Sequence, residues 1–82
     1  MSLSITNIYF KNGIIVLHLS NGSSLQDDLN KFPKLFNATQ DELNKYELWD
    51  NGKWIHWENL NEDLGLEGFL SNDLYFTDQK GS

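Results

Sequence analysis

The stretch ITNIYFKNGIIVLHL, residues 5–19, decides the fold of the first part of this chain. At its centre, Asn12-Gly13 tolerates the two positive φ angles of a type I′ turn, whose twist suits a tight β-hairpin. A two-residue turn fixes the register of the strands, and the pairs on one face are then almost wholly apolar: Phe10 with Ile15, Ile8 with Leu17, and Thr6 with Leu19. The stretch therefore predicts an antiparallel hairpin with one buried face.

A second Asn-Gly pair, Asn21-Gly22, follows directly and predicts another turn. This turn adds a third strand near residues 23–28 and places Leu25 opposite His18. The N-terminal third of the chain is therefore predicted to be a three-stranded antiparallel meander.

A third Asn-Gly pair, Asn51-Gly52, predicts a second β-hairpin further along the chain. Its register puts Trp49 opposite Trp54, and Glu47 opposite His56, on one face. The other face carries more apolar side chains and is the better core face: Tyr46, Leu48, Ile55 and Trp57.

Short helices complete the predicted fold, which belongs to the α+β class. Pro33 suits the first position of a helical turn over residues 33–37. Thr39 and Glu42 have the spacing of a capping box, in which each side chain binds the backbone amide of the other. A short C-terminal helix is predicted from three apolar residues at helical spacing: Leu66, Phe69 and Leu70.

The length of 82 residues predicts a single domain over residues 1–82. Its core is expected over about residues 5–70, with residues 71–82 as a mostly polar tail. The apolar segment Leu74-Tyr75-Phe76 in that tail has three interpretations: an added edge strand, a segment that docks on a partner, or a frayed end.

The composition argues against several classes of protein. The chain has no cysteine and only two histidines, which excludes disulfides and thiolate metal sites and disfavours structural zinc. Twelve acidic residues stand against six lysines, there is no arginine, and the net charge is −6. Nucleic-acid binding usually needs a basic face, so direct nucleic-acid contact is not expected. The charge fits a soluble protein or one that meets a basic partner.

The sequence also gives no sign of a membrane protein. Its first residues lack the basic and long apolar segments of a signal peptide, and no apolar run approaches the ~20 residues needed to span a bilayer. We therefore expect a cytoplasmic location without membrane attachment.

Several segments together resemble a known family. These are residues 32–42, Ile55-His56-Trp57, and the acidic and apolar run over residues 60–70. They are similar to the middle segment and the C-terminal signature of the bacterial domain-of-unknown-function family 2442. The resemblance covers about residues 5–70. The chain departs from the family pattern at Gly65, which stands where a serine would cap the last helix.

The resemblance implies a small α+β domain with no agreed activity. Other members of that family are similar to proteins that are encoded beside another small protein, in gene pairs that resemble toxin–antitoxin pairs. The resemblance therefore implies a protein partner, which would be a small basic toxin-like protein if this chain is the antitoxin-like member of such a pair.

His56 and Glu47 form the best candidate polar pair in the sequence. A carboxylate opposite a histidine could favour the charged imidazole and assist proton transfer. The alternative is a cross-strand charged pair on a half-exposed face. We favour this alternative, because no serine, cysteine or second base is placed to complete a catalytic set. The protein is therefore predicted not to be an enzyme and to need no cofactor.

The acidic turn Asn61-Glu62-Asp63, together with Glu58, could hold a divalent cation through oxygen ligands. It lacks the alternating acidic spacing of a calcium loop, so a solvated turn without a metal is expected. In that case Asp63 is a candidate cap for the final helix.

Trp49 and Trp54 are the most suggestive residues. A cross-strand tryptophan pair can simply stabilise a hairpin by about 0.5–1 kcal/mol. If the other face of the hairpin packs on the core, however, the pair forms an exposed aromatic patch of the kind found at binding hot spots. The candidate partner-binding residues are Trp49, Trp54, His56, Glu47, Glu62 and Asp63.

The leading prediction is a non-enzymatic protein-interaction domain that binds a basic or apolar partner, or a second copy of itself, through this patch. The alternative is a small-molecule-sensing module in which His56, Glu47 and the tryptophans line a cleft. A concave surface there would favour the alternative, and a flat or convex one would count against it.

Overall fold

Two three-stranded antiparallel sheets organise the fold in the computed structural model, which describes residues 3–72, and the side chains of residues 3–70. The first sheet has the order β1-β2-β3, with β1 at Ile5–Lys11, β2 at Ile14–Leu19 and β3 at Ser24–Asp28. The second has the order β4-β5-β6, with β4 at Glu47–Trp49, β5 at Trp54–Trp57 and β6 at Glu62–Gly65. The α+β class and the N-terminal meander are confirmed.

The first hairpin has its predicted register except at its open end. Asn12 and Gly13 have φ angles of 49° and 78°, as a type I′ turn requires. A bulge near the start of β1 then places Ile5, not Thr6, opposite Leu19, so that part of the predicted register is wrong. The bulge buries the Ile5 side chain, whereas Thr6 remains exposed and donates to the His18 carbonyl at 3.2 Å.

The second turn shifts the next pairing by one residue. Leu25 lies opposite Leu17, so its predicted position opposite His18 is wrong. Gly22 has a φ of 91°, and its amide donates to the Leu19 carbonyl at 3.0 Å. This is the pattern of a three-residue hairpin loop with glycine in the left-handed region. The additional loop residue brings two buried leucines together across the strands.

The second hairpin has the predicted register: Trp49 with Trp54, Leu48 with Ile55, and Glu47 with His56. Its turn contains the predicted Asn51-Gly52 pair with positive φ angles, but it is longer than predicted. Asp50 also has a positive φ, of 56°, and the Lys53 amide donates to both the Trp49 and the Asp50 carbonyls, at 3.2 Å and 3.1 Å. The hairpin is extended by β6, which the sequence interpretation took for an acidic turn. Asp63 lies in that strand, so its predicted role as a helix cap is wrong.

The helices are short. A 3-10 turn at Leu29–Lys31 precedes α1 at Pro33–Phe36 and α2 at Gln40–Leu43, and α3 begins at Leu66 and continues to Asn72. The predicted capping box is present: the Thr39 hydroxyl accepts from the Glu42 amide at 3.1 Å, and the Glu42 carboxylate accepts from the Thr39 amide at 2.9 Å. None of the described helices is both long and apolar enough to cross a membrane.

One apolar core joins both sheets and the helices. The largest fully buried side chain is Trp57, whose indole nitrogen donates to the Leu43 carbonyl at the end of α2 at 3.0 Å. The sheets are also tied through the backbone, since the Ile5 amide donates to the Gly52 carbonyl at 2.8 Å. The inner face of the second sheet is therefore fixed against the core. The segment Leu74-Tyr75-Phe76 lies outside the described residues.

Candidate functional site

The outer face of the second sheet collects most of the candidate residues. Side chains alternate between the faces of a strand, so the residues paired as Trp49 with Trp54 and Glu47 with His56 point away from the core. In β6, Asp63 lies opposite His56 on the same face. We call these five residues the tryptophan face. Trp49 is 48% exposed and Trp54 is 46% exposed.

His56 is the buried centre of the tryptophan face, with 9% exposure. Its Nδ1 contacts the Asp63 carboxylate, and its Nε2 lies 2.8 Å from the Glu58 carboxylate. Only a protonated imidazolium can donate from both ring nitrogens at once. The hydrogen bond to Asp63, and then that to Glu58, raises the pKa of His56 above its ordinary value of 6.5, against the opposing effect of burial. The geometry therefore fits a charged histidine.

Trp49 is held in place from two sides. Its ring stacks on the His56 ring, with the centroids 3.9 Å apart and the planes 19° from parallel. Its indole nitrogen donates to the Glu47 carboxylate at 2.9 Å. A cation over the face of an indole is attracted by the ring quadrupole, so the charged form of His56 strengthens this stack. Trp49 is thus exposed to solvent and yet ordered.

Trp54 lies against a glycine of the neighbouring strand. A Cβ atom added at Gly65 would come within 3.0 Å of the Trp54 ring. The family pattern has a helix-capping serine at the position of Gly65. In this structure, the glycine leaves room for the Trp54 indole. The absence of a side chain allows this close approach.

The predicted contact between Glu47 and His56 is wrong, although the two residues are opposite each other in the sheet. Glu47 instead accepts from the Trp49 indole, and both nitrogens of His56 are taken by Asp63 and Glu58. The sequence interpretation missed this because it did not recognise β6, the strand that carries Asp63. Glu58 had a usable signal: it follows His56 by two residues, the spacing of neighbours on one face of a strand.

Glu62 is separated from the other candidate residues. It lies opposite Trp57, on the other face of β6 from Asp63. Its carboxylate is 3.8 Å from the Lys34 ammonium, which also donates to the Asn61 carbonyl at 2.9 Å. Glu62 therefore links the second sheet to α1 and does not belong to the tryptophan face.

The geometry gives the acidic residues no common ligand position. Glu58 and Asp63 contact opposite edges of the His56 ring, so their oxygens do not converge. Within residues 3–72, no group of three histidine or carboxylate side chains is arranged to hold a metal ion. Both ring nitrogens of His56 are occupied, so neither is free to accept a proton from a substrate in this arrangement. That the protein is not an enzyme stays a prediction.

A groove of about 630 Å³ lies beside the tryptophan face, between the β4–β5 turn and α3. Its apolar lining comes from Leu3, Trp54, Leu66 and Leu70. Trp54 is shared between the face and the groove, whereas His56, Glu47 and Trp49 are not among the lining residues. This groove is therefore not the cleft predicted around His56.

The raised pKa of His56 leads to a prediction with a definite sign. We expect the imidazole protons of His56 to titrate by NMR with a midpoint above 6.5, and Asp63→Asn to lower that midpoint because it removes the strongest hydrogen bond to the cation. Asp41→Asn, an exposed first-turn acid of α2, is the matched control and should leave the midpoint in place. A midpoint unchanged by Asp63→Asn would contradict the assignment.

The stability contribution of His56 follows from the same shift. A histidine whose pKa is raised by folding stabilises the native state fully below its unfolded pKa of 6.5, and this contribution is lost as the pH rises through the folded-state pKa. The difference in melting temperature between the wild type and His56→Gln should therefore be largest at about pH 6 and shrink at higher pH. A difference that grows with pH would have the wrong sign.

The fold and the exposed face define a small α+β domain built from two three-stranded sheets, with an aromatic and acidic outer surface. The family model of the Protein of unknown function (DUF2442) matches residues 5–75, and the chain belongs to this family. The family resemblance of the sequence is thereby confirmed. No curated protein matches the chain.

Two solved structures share the fold. A crystal structure of a protein of unknown function from Rhodospirillum rubrum has a TM-score of 0.76 and 23% identity, covering 88% of this chain and 89% of that one. The solution NMR structure of an uncharacterised protein from Chromobacterium violaceum has a TM-score of 0.70 and 26% identity, covering 83% of this chain and 64% of that one. This chain thus spans less than two thirds of the second protein. Both similarities support the fold and carry no activity with them.

Proposed function

We propose that this protein is a non-enzymatic protein-interaction domain and that its tryptophan face binds a partner protein with a basic surface. One observation carries the proposal: Trp49 and Trp54 are each nearly half exposed on a face whose opposite side is fixed to the core. Tryptophan is enriched among the few residues that supply most of the binding energy at interfaces.

The order already present at Trp49 favours binding. Fixing a side chain at an interface costs conformational entropy, and a side chain that is held before binding avoids much of that cost. Trp49 is held by the His56 stack and by its hydrogen bond to Glu47. It is therefore prepared for contact in the free protein.

The charge around the tryptophans indicates the chemistry of the partner. Glu58 and Asp63 flank His56 with side chains 86% and 56% exposed, and Glu47 lies beside Trp49. The whole chain carries a net charge of −6. A partner with lysine or arginine around an apolar centre would complement this surface and would be steered to it by long-range attraction.

The antitoxin-like role is the specific form of this proposal and rests on family analogy. In that form the partner is a small basic protein encoded beside this chain. The acidic surface supports such a pairing, because an excess of negative charge on one member complements an excess of positive charge on the other.

Co-expression tests the proposal. The tagged wild-type protein is produced together with the product of the adjacent gene, and the amount of that product retained on purification is measured. Each tryptophan should contribute about 2 kcal/mol at a hot spot, so each Ala substitution should weaken binding by about thirtyfold. The double variant, Trp49→Ala with Trp54→Ala, should retain none of the product.

Phe36→Ala is the matched control, because Phe36 is an exposed aromatic residue of α1 with 57% exposure and lies outside the tryptophan face. It should retain the product as the wild type does. Failure of the wild type to retain any product would reject the proposed partner, and retention by the double variant would reject the surface. Light scattering of the wild type and the double variant shows whether the tryptophan face binds a second copy of this chain.

A ligand-binding role is the second candidate, and the groove beside Trp54 is the observation that favours it. Its volume falls in the range of small-molecule sites, and its walls are mainly apolar. A small apolar ligand would shift the NMR signals of Leu66 and Leu70 and leave those of Trp49 unchanged. This pattern would separate groove binding from binding at the tryptophan face.

A further inference from the structure

We propose that His56 acts as a proton-operated latch for Trp49. In the latched state the charged ring, held between Asp63 and Glu58, fixes the indole that stacks on it. Loss of the proton weakens the hold on the indole and changes the surface that the protein presents. His56 is thus a positioning residue for Trp49.

The first element of the latch is the double hydrogen bond. The Asp63 carboxylate contacts Nδ1 of His56. The Glu58 carboxylate lies 2.8 Å from Nε2, at the opposite edge of the same ring. A neutral imidazole has one N–H and one lone pair, so it can satisfy one carboxylate only. The other carboxylate would then face a lone pair and move away.

The two carboxylates differ in how easily they can leave. Asp63 belongs to β6, which is paired with β5 directly beside His56. Glu58 follows the end of β5, and its side chain is 86% exposed. Glu58 therefore returns to water on deprotonation, while Asp63 keeps its hydrogen bond to the remaining N–H.

The second element is the stack itself. The Trp49 and His56 rings are 3.9 Å apart at their centroids, close enough for a cation to be attracted to the indole face. Deprotonation removes that attraction and leaves the contact between two neutral rings. The ratio of stacked to released Trp49 should then fall by about two- to fivefold, the ratio that corresponds to an exposed cation–π contact.

None of the charged groups that face His56 in the described part of the chain supplies a positive charge that could take the place of its proton. In the described part of the chain, the groups that face it are Asp63 from β6, Glu58 after β5, and Glu47 across the β4–β5 pair. All three are carboxyl groups, and Glu47 is engaged by the Trp49 indole. Each of them favours the charged form of His56.

The effect on partner binding rests on the proposed function, whereas the latch is a property of the free protein. Below the transition the face presents an ordered Trp49, and the positive charge of His56 offsets one of the two negative charges of Asp63 and Glu58. Above it the face presents a freer indole and one additional negative charge. The two states therefore differ both in aromatic order and in charge.

NMR of the protein alone tests the latch. The imidazole protons of His56 are titrated from about pH 5 to about pH 9, and nuclear Overhauser contacts between the Trp49 and His56 rings are followed in the same samples. We expect these contacts to weaken with the same midpoint as the imidazole titration, by the fall in the stacked population that a ratio of stacked to released Trp49 lower by about two- to fivefold produces. Asp63→Asn should move both transitions to lower pH together.

Phe32 and Phe69 supply an internal control, because they form an aromatic pair that has no titratable group, with centroids 5.5 Å apart. Their contacts should not follow the midpoint of His56. The indole N–H of Trp57, hydrogen-bonded to the Leu43 carbonyl, reports that the fold is intact at each pH. His56→Gln should abolish the pH-dependent change in the Trp49 side chain.

Trp49 contacts that stay constant through the His56 titration would overturn the latch, and so would a transition in Trp49 that survives His56→Gln. Neither result depends on a partner, so a failed latch leaves the co-purification test of the proposed function intact. Conversely, if the co-purification test rejects the proposed partner, a positive NMR result for the protein alone still supports the latch.

Discussion

Trp57→Ala is expected to lower the free energy of unfolding by about 3–5 kcal/mol, the usual cost of truncating a large buried aromatic residue. Trp57 is fully buried and belongs to the core that joins both sheets. Its loss also leaves the Leu43 carbonyl at the end of α2 without its indole donor. A domain of 82 residues has a typical stability of about 4–12 kcal/mol, so the variant will be close to unfolding.

Trp54→Ala is the matched control for this prediction. Trp54 belongs to the same strand, but its side chain is 46% exposed on the opposite face. Its removal should cost about 0.5–1 kcal/mol, the size of a cross-strand aromatic contact. Urea unfolding followed by circular dichroism compares the two variants. Equal losses would show that the two faces of β5 do not differ in the way the structure requires.

Trp57→Phe separates packing from hydrogen bonding if the alanine variant does not fold. Phenylalanine fills much of the space and stays apolar, but it cannot donate to the Leu43 carbonyl. An unpaired buried carbonyl costs about 1–3 kcal/mol. An intermediate loss of stability is therefore expected for this variant, and a loss near zero would reject the role of the hydrogen bond.

Gly52→Ala is expected to lower the free energy of unfolding by about 2–3 kcal/mol, for two separate reasons. Gly52 has a φ of 82°, a region that costs a residue with a Cβ roughly 1–2 kcal/mol. The added Cβ would also lie 2.6 Å from the Ile5 carbonyl oxygen. Moving β1 away would weaken the hydrogen bond from the Ile5 amide to the Gly52 carbonyl, worth about 0.5–1.5 kcal/mol.

Gly13→Ala separates these two reasons. Gly13 has a φ of 78°, nearly that of Gly52, but an added Cβ there would meet nothing within 4 Å. This variant therefore carries the backbone cost alone, about 1–2 kcal/mol. The difference between the two variants in urea unfolding measures the contact between the second hairpin and β1. If Gly13→Ala is as destabilising as Gly52→Ala, that contact contributes nothing.

The position of Gly52 has a consequence for the tryptophan face. The turn that it forms connects Trp49 to Trp54, and the same turn is tied to the first sheet through Ile5. The exposed tryptophans therefore lie on a hairpin whose turn is held by the rest of the domain. Sites placed on rigid elements keep their geometry better than sites on free loops.

Much of the fold was predictable because it depends on neighbouring residues. Asn12-Gly13 forms its turn as predicted, and Asn51-Gly52 has the predicted positive φ angles within a longer turn, since the allowed φ angles of these residues are set by local sterics. The capping box of Thr39 and Glu42 is equally local, with its partners three residues apart. At these positions the backbone conformation and the hydrogen bonds belong to one short segment.

The predicted register of the first sheet is wrong at the two places where a local rule for strand pairing conflicts with the burial of an apolar side chain in the core. A two-residue turn at Asn21-Gly22 would have placed Leu25 opposite His18, but one additional loop residue places it opposite Leu17. Similarly, the bulge in β1 buries Ile5. In both cases the burial of an apolar side chain, worth on the order of 1.5–3 kcal/mol, outweighs the regular register.

The sequence by itself determined the positions of the turns, the capping box and the two faces of the second hairpin, including the outward direction of Trp49 and Trp54. These follow from backbone sterics and from the alternation of side chains along a strand. Only the tertiary structure decided the partners of His56. The β5–β6 pairing brings Asp63 to its ring, and Trp49 then stacks on the imidazole instead of serving only as the partner of Trp54. Such contacts depend on which segments pair, and that choice is made by burial across the whole chain.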